Sequence, residues 1–409
     1  MAQLFNLIIY ALILLLCLKT PFAYILSGEM VNYIAFIFIV IGIVLIALYD
    51  ISKVKKAWAI NVLILILLIK FLLERIYTTE ISLNYALISF IPKLALLLIL
   101  LLLYCLPYNC IVNGYSFLRK IMLLSLVCAT FEMMIPDDIF LNLVLAVQKG
   151  KNPLVGNVDA YSDTIFGIKR MRIGSFYFEP ITFGMISAFV LFREYFSKNK
   201  NYFYVCAAFL CVILSGAKSA LMFILIGTFF VAASFGKSLF VSIFLLLAVV
   251  YNSSPLSVLS NGELTPGIES ITNHILGLFF GVFNSLKEPI VGFGYGTAGY
   301  LVFLKSLDNF GYDPFKNDYL VFAPLENGNE SAIGVLFYEF GFALSVLVLV
   351  YTLIFAKKNH HNSNKAKSGM IVGYVLFAML SESALSIAIF FAFALTYFSF
   401  HRDNIYSTN

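Results

Sequence analysis

Apolar residues fill most of this chain in long runs, and polar residues gather in the gaps between them. A membrane-spanning helix needs about 20 predominantly apolar residues, and that ruler predicts about twelve helices. The first runs from Leu4 to Leu26 with a kink near Pro21, the second from Met30 to Tyr49 and the third from Trp58 to Leu73. A short loop, Glu74 to Glu80, leads to the fourth, Ile81 to Leu106, interrupted at Pro92. Arg119 and Lys120 precede the fifth, Ile121 to Ile135. The sixth opens at Pro180, which suits a first helical turn because its missing N–H is not needed there, and ends near Phe196. Tyr202 to Leu214, Ser219 to Phe235 and Leu239 to Tyr251 follow. The last three are Ser331 to Ala356, Gly369 to Leu380 and Ala384 to Phe400. Two long polar segments interrupt the series, residues 136–179 and 252–330. No internal repeat is visible, so the expected organisation is one all-α polytopic bundle, a single integral-membrane domain over residues 1–409.

Composition agrees with the pattern. The chain is 61% hydrophobic and 12% charged, where soluble domains carry about 25% charged residues. The net charge of +5 says little about partners, because in such proteins the meaning lies in loop asymmetry; no nucleic-acid partner is expected. With about twelve spans, six basic clusters fall on one side: Lys53/Lys55/Lys56, Arg119/Lys120, Lys198/Lys200, Lys237, Lys357/Lys358/Lys365/Lys367 and Arg402. The positive-inside rule makes that side cytoplasmic, with both termini inside and both long polar segments outside. The first apolar run has no basic leader and no small-residue cleavage site, so it reads as a retained helix. All cysteines but Cys110 lie in apolar runs, which argues against a disulfide framework and offers no metal spacing.

Candidate chemistry concentrates on the outer side. Lys169, Arg170 and Arg172 put three cations within four residues, just before Glu179 and Pro180. Topology would not place them there. Arginine's planar fork takes two phosphate oxygens at once, which suits a pyrophosphate site; contact with anionic lipid headgroups is the plainer alternative. Ser215 to Ser219, reading SGAKS, forms a hairpin that holds Lys218 near the outer surface, as part of an anion site or as a snorkelling lysine.

The second outer segment carries eight carboxylates against three lysines, with many aromatic residues, a mixture suited to sugars and equally to a folded cap. Gly292 to Gly299 reads as a tight turn that lets backbone approach a ligand. His360–His361 reads as a solvated loop. The stretch Glu326 to Gly341, ENGNESAIGVLFYEFG, brings the outer segment into a span. Glu330 lies at the boundary, as a reactive carboxylate or a helix cap, and Glu339 lies inside the apolar run, as a brace between helices. Nine residues apart on a helix means opposite directions, so the two are not one paired-carboxylate site.

These residues resemble the Wzy-type O-antigen or capsule repeat-unit polymerases, a group related to the O-antigen ligases. Three features carry the likeness: Arg-x-Gly-Ser-Phe…Glu-Pro over Arg172 to Pro180, the Ser-Gly-Ala-Lys-Ser hairpin, and Glu330-Ser331…Glu339-Phe340-Gly341 after a long outer loop. The resemblance implies a GT-C-like membrane glycosyltransferase of the bacterial inner membrane, facing the periplasm. It joins undecaprenyl-diphosphate-linked oligosaccharide repeat units, donor and acceptor both lipid-linked. Transfer inverts the anomeric centre and releases undecaprenyl diphosphate. It implies no cofactor, no metal and a separate chain-length regulator protein. In that scheme Glu330 and Arg172 are catalytic. Lys169, Arg170, Glu179, Lys218, Glu326 and Asn327 contact the substrate or its diphosphate, with Glu179 as the second candidate base. Relatives of the ligase branch open the last motif with histidine, where this chain has Glu330; relatives carry arginine in the hairpin, where it has Lys218. Two other functions compete: a ligase that transfers glycan to lipid A–core, and a flippase or transporter for lipid-linked sugars.

Overall fold

The computed structural model describes residues 2–18, 28–77, 83–134, 162–165, 168–171, 173–177, 179–197, 199–242, 277–279, 281–295, 331–361 and 364–400. These residues are mostly helical, with one short β-hairpin. In order they form α1 (Ala2–Cys17), α2 (Gly28–Lys56), α3 (Trp58–Tyr77), α4 (Leu83–Cys105) and α5 (Tyr108–Met134). Strands β1 (Ser162–Ile165) and β2 (Ile168–Met171) and a 3-10 turn (Ser175–Tyr177) follow. Next come α6 (Pro180–Phe196), α7 (Tyr202–Ser215), α8 (Lys218–Ala232), α9 (Ala332–Phe340), α10 (Phe342–His361), α11 (Lys365–Leu380) and α12 (Ile387–Ser399). Among the described residues, three helices are long and apolar enough to cross a membrane: Met30–Lys56, Ala86–Cys105 and Phe342–His360. Helices α1, α7, α8 and α12 are apolar but shorter. All six cysteines are free.

The chain divides into two compact units. One comprises Met1–Ile69, Ile91–Leu221 and Leu385–Asn409; the other comprises Lys70–Phe90 and Met222–Ala384. In the first unit α6 is the central helix, packed by α5, α7 and α12. Nearly all of its residues are buried, including Phe183, Phe189 and Phe192. A helix apolar on all sides belongs in a core. Its start is as the sequence predicts: Glu179 is extended at the N-cap and Pro180 is the first helical residue. In the second unit α9, α10 and α11 pack on one another.

Several boundaries differ from the sequence reading. Helix α3 continues to Tyr77, so Glu74 is buried within a helix and is not a loop residue. Helix α5 starts at Tyr108, so Arg119 and Lys120 lie inside it. There Arg119 Nη1 donates to Glu194 Oε1 at 3.1 Å, and Tyr115 Oη donates to the same oxygen at 2.8 Å. His360 is buried at the end of α10, its Nε2 3.2 Å from the Ala233 carbonyl, and is not in a solvated loop. The tenth predicted helix is two helices, α9 and α10, broken at Gly341.

Candidate functional site

The motif from Arg172 to Pro180 falls in the first unit. Strands β1 and β2 pair antiparallel, with Asp163 opposite Arg170 and Thr164 opposite Lys169. Lys169 and Arg170 therefore lie on a strand by their backbone; their side chains lie outside the description, as does Arg172. From Ile173 the chain is described again, and it is tied down densely. Glu132, near the end of α5, accepts the backbone N–H of Gly174 at 3.0 Å and that of Ser175 at 2.7 Å, one on each carboxylate oxygen. Ser175 Oγ donates to the Ser125 carbonyl at 2.7 Å. Ser175 is the one non-glycine residue with positive φ, 52°, among the described residues. Tyr177 is buried and stacks on Phe183 with ring centroids 6.0 Å apart; burial pushes its phenol well above the usual tyrosine range. Glu179, exposed, accepts from Thr182 Oγ1 at 2.6 Å, which aligns it with the first turn of α6.

The Ser-Gly-Ala-Lys-Ser hairpin is packed against that same helix start. Helix α7 ends with Gly216 in the left-handed region, φ 61°, and Ser215 Oγ accepts the N–H of Ala217 at 3.2 Å. Lys218 is exposed at the first position of α8. Gly184 makes the approach possible. A Cβ there would fall 2.5 Å from Ser215 Oγ and 2.7 Å from Ala217 Cβ, closer than real side chains pack. The start of α6 and the hairpin, separated in sequence, are thus brought together in the first unit.

The third motif belongs to the second unit. Glu330, Glu326 and Asn327 lie outside the described residues. Ser331 is described: it caps α9 by accepting the N–H of Gly334 at 3.1 Å, and its hydroxyl donates to the Met379 carbonyl at 2.7 Å. Helix α9 ends at Gly341, φ 80°. Segment 289–294 fills the break. Phe293 N donates to the Tyr338 carbonyl at 2.9 Å, Gly294 N to the Glu339 carbonyl at 3.3 Å, and Ala343 N to the Pro289 carbonyl at 2.8 Å. The glycine-rich turn expected to let backbone approach a ligand thus approaches the backbone of the helix break itself. A Cβ on Gly341 would lie within 3 Å of the Glu288 and Pro289 carbonyl oxygens, a spacing only glycine permits.

A buried ion pair underlies this junction. Lys70 Nζ pairs with Glu74 Oε1 one turn along α3 and donates to the Val291 carbonyl at 2.7 Å. Glu74 Oε2 accepts the Tyr295 N–H at 2.9 Å. The Lys70 ammonium lies 5.3 Å from the Tyr295 ring centroid and 5.5 Å from that of Phe340. Burial, then the charges of Glu74 and Glu339, push the Tyr295 phenol above its ordinary value. Glu339 is 2% exposed and accepts from Ser89 Oγ at 3.3 Å, the bracing role expected of it.

Sequence reasoning singled out Glu339 as an ionisable residue inside a predicted span but passed over Lys70 and Glu132, which lie inside the third and fifth predicted spans, and placed Glu74 in a loop. The four-residue spacing of Lys70 and Glu74 inside an apolar run was a readable signal. Among the described residues, no group of three or more His, Cys, Asp or Glu side chains could hold a metal ion. No known family profile matches the chain, and no curated protein or solved structure does either.

Proposed function

We propose that this chain is a multi-pass inner-membrane polymerase of about twelve spans that joins lipid-diphosphate-linked oligosaccharide repeat units on the periplasmic face. The observation that supports the reading best is the contact of Gly184 with Ser215 and Ala217. It gathers the segment after the Lys169–Arg172 cations and the hairpin of Lys218, two of the three motifs on which the resemblance rests, at one helix start.

The chemistry follows from charge. An acceptor hydroxyl attacks the anomeric carbon of the donor glycan. The bond from that carbon to the diphosphate oxygen breaks, and the electron pair leaves with the diphosphate. Negative charge on that oxygen grows as the bond breaks, so cations fixed beside it stabilise the transition state more than the ground state. Arg172 fills that role, supported by Lys169, Arg170 and Lys218. Glu330 takes the hydroxyl proton as general base. Glu179 holds Thr182 at the helix start, which leaves it the second candidate.

Arg172→Ala is expected to abolish polymer while single repeat units persist, read on a glycan gel at matched protein levels. Arg172→Lys fails too, because a lysine cannot take two diphosphate oxygens in one plane. Glu330→Gln loses activity with expression intact. Normal polymer from Arg172→Ala would remove the diphosphate role.

A second reading, a transporter for lipid-linked sugars, is favoured by the break at Gly341 above the buried Lys70–Glu74 pair, since broken helices and buried charges at membrane depth recur in transporters. A deletion strain decides between them. Polymerase loss leaves single units outside the cell, and transporter loss traps unpolymerised lipid-linked units inside.

A further inference from the structure

Glu132 lies near the end of α5 with its side chain partly buried, and a partly buried acid needs hydrogen-bond partners. Its two carboxylate oxygens are spent on two consecutive backbone N–H groups, Gly174 and Ser175. Those residues carry the chain from β2, which bears Lys169 and Arg170, to Glu179 and α6. Arg172 lies two positions before Gly174, a span of at most about 7 Å. The same turn holds Ser175 in the left-handed region and anchors its hydroxyl to Ser125 on α5. Backbone kept in a sparsely populated region, with its surroundings over-determining it, is typical of positions where geometry serves function.

We propose that Glu132 is a positioning residue for the diphosphate-binding cations. It acts through the backbone of Gly174 and Ser175 and sets where the Lys169–Arg172 stretch stands relative to α5 and α6. This rests on the reading of those cations as the diphosphate site. A carboxylate is required because both oxygens must accept. Glutamine has the same shape but one acceptor oxygen, and its NH2 would face an N–H donor.

The test uses the full-length protein in nanodiscs with a polyprenyl-diphosphate-linked oligosaccharide. Glu132→Gln is expected to lower kcat about 10- to 100-fold, the scale of an ångström-size misplacement, with KM within about threefold, because the lost interaction is made chiefly with the departing diphosphate. Glu132→Asp, which keeps both acceptors but reaches less far, lies between wild type and Glu132→Gln in kcat and in the cleavage assay below. A second readout needs no turnover: trypsin cleavage after Lys169, Arg170 and Arg172, with and without inorganic pyrophosphate. Wild type is protected by pyrophosphate, and Glu132→Gln is cut faster and protected less. If Glu132→Gln does not accumulate, Glu132→Asp is compared with wild type in the cleavage assay, where its shorter reach gives faster cutting. Wild-type kcat in Glu132→Gln, or unchanged cleavage and protection in the variant used, overturns the proposal while Arg172→Ala remains inactive. Full activity in Arg172→Ala overturns the underlying site reading instead.

Discussion

Ser175 concentrates the local physics of the turn that precedes α6. A side chain with a Cβ at φ 52° is strained, and the strain is held by three hydrogen bonds: the Ser175 N–H donates to Glu132, the Ser175 hydroxyl donates to the Ser125 carbonyl, and the preceding Gly174 N–H also donates to Glu132. Ser175→Gly relieves the strain and keeps the N–H, so the protein should melt within a few degrees of wild type. Ser175→Val puts a β-branched residue in the left-handed region and removes the hydroxyl. It should cost about 1–3 kcal/mol, read as a lower melting temperature in detergent and less protein in the membrane. Equal melting of the valine and glycine variants would contradict this account of the turn.

At the scale of elements, close approach decides both loci. Gly184→Val places a side chain where Ser215 Oγ and Ala217 Cβ already sit. Overpacking of this kind costs about 1–3 kcal/mol, and the hairpin that carries Lys218 must shift. Thermal unfolding should show the loss, and polymer should shorten or vanish; a variant with wild-type melting and wild-type polymer would show that the contact is unimportant. In the other locus, Lys70→Met leaves the Glu74 carboxylate buried without its cation, a change worth about 3–5 kcal/mol. Lys70→Met with Glu74→Leu removes both charges. It orphans the Tyr295 N–H, at about 1–3 kcal/mol, yet it should be milder than the two single losses added together. Strict additivity in a double-mutant cycle would mean that the pair is not coupled.

Elements were legible where local signals marked both ends. Pro180 and the polar residues after Phe196 bound α6, and its structural limits, Pro180–Phe196, are those the sequence predicts. The α7–α8 hairpin was legible for the same reason, through Gly216. The break at Gly341 was not. One glycine in an apolar run is usually tolerated, and the groups that satisfy the broken backbone, Pro289 to Gly294, arrive from a distant stretch of chain. Glu74 was misplaced because the predicted span ends where two adjacent charges, Glu74 and Arg75, follow Leu73, while the helix continues with Lys70 neutralising Glu74.

At the scale of the whole molecule, the apolar pattern announces a helical protein whose longest helices suit a bilayer. Large exposed side chains such as Leu48, Trp58, Leu225 and Phe240 are the surface such a protein offers to lipid. Between helices in lipid, close packing and buried hydrogen bonds replace the hydrophobic effect as the source of association. Such interactions are the Gly184 contact, the Ser331–Met379 bond, the Arg119–Glu194–Tyr115 group and the Ser89–Glu339 bond. The central claim is that the outer cations serve transfer of a glycan from a lipid diphosphate. The most direct measurement reconstitutes the purified chain in vesicles with a polyprenyl-diphosphate-linked repeat unit, without nucleotide sugar and with a chelator present. A ladder of products spaced by one repeat unit, with release of polyprenyl diphosphate and loss of both in Arg172→Ala, is the predicted result. Repeat units that stay single, whether untouched or moved across the vesicle wall, would contradict it.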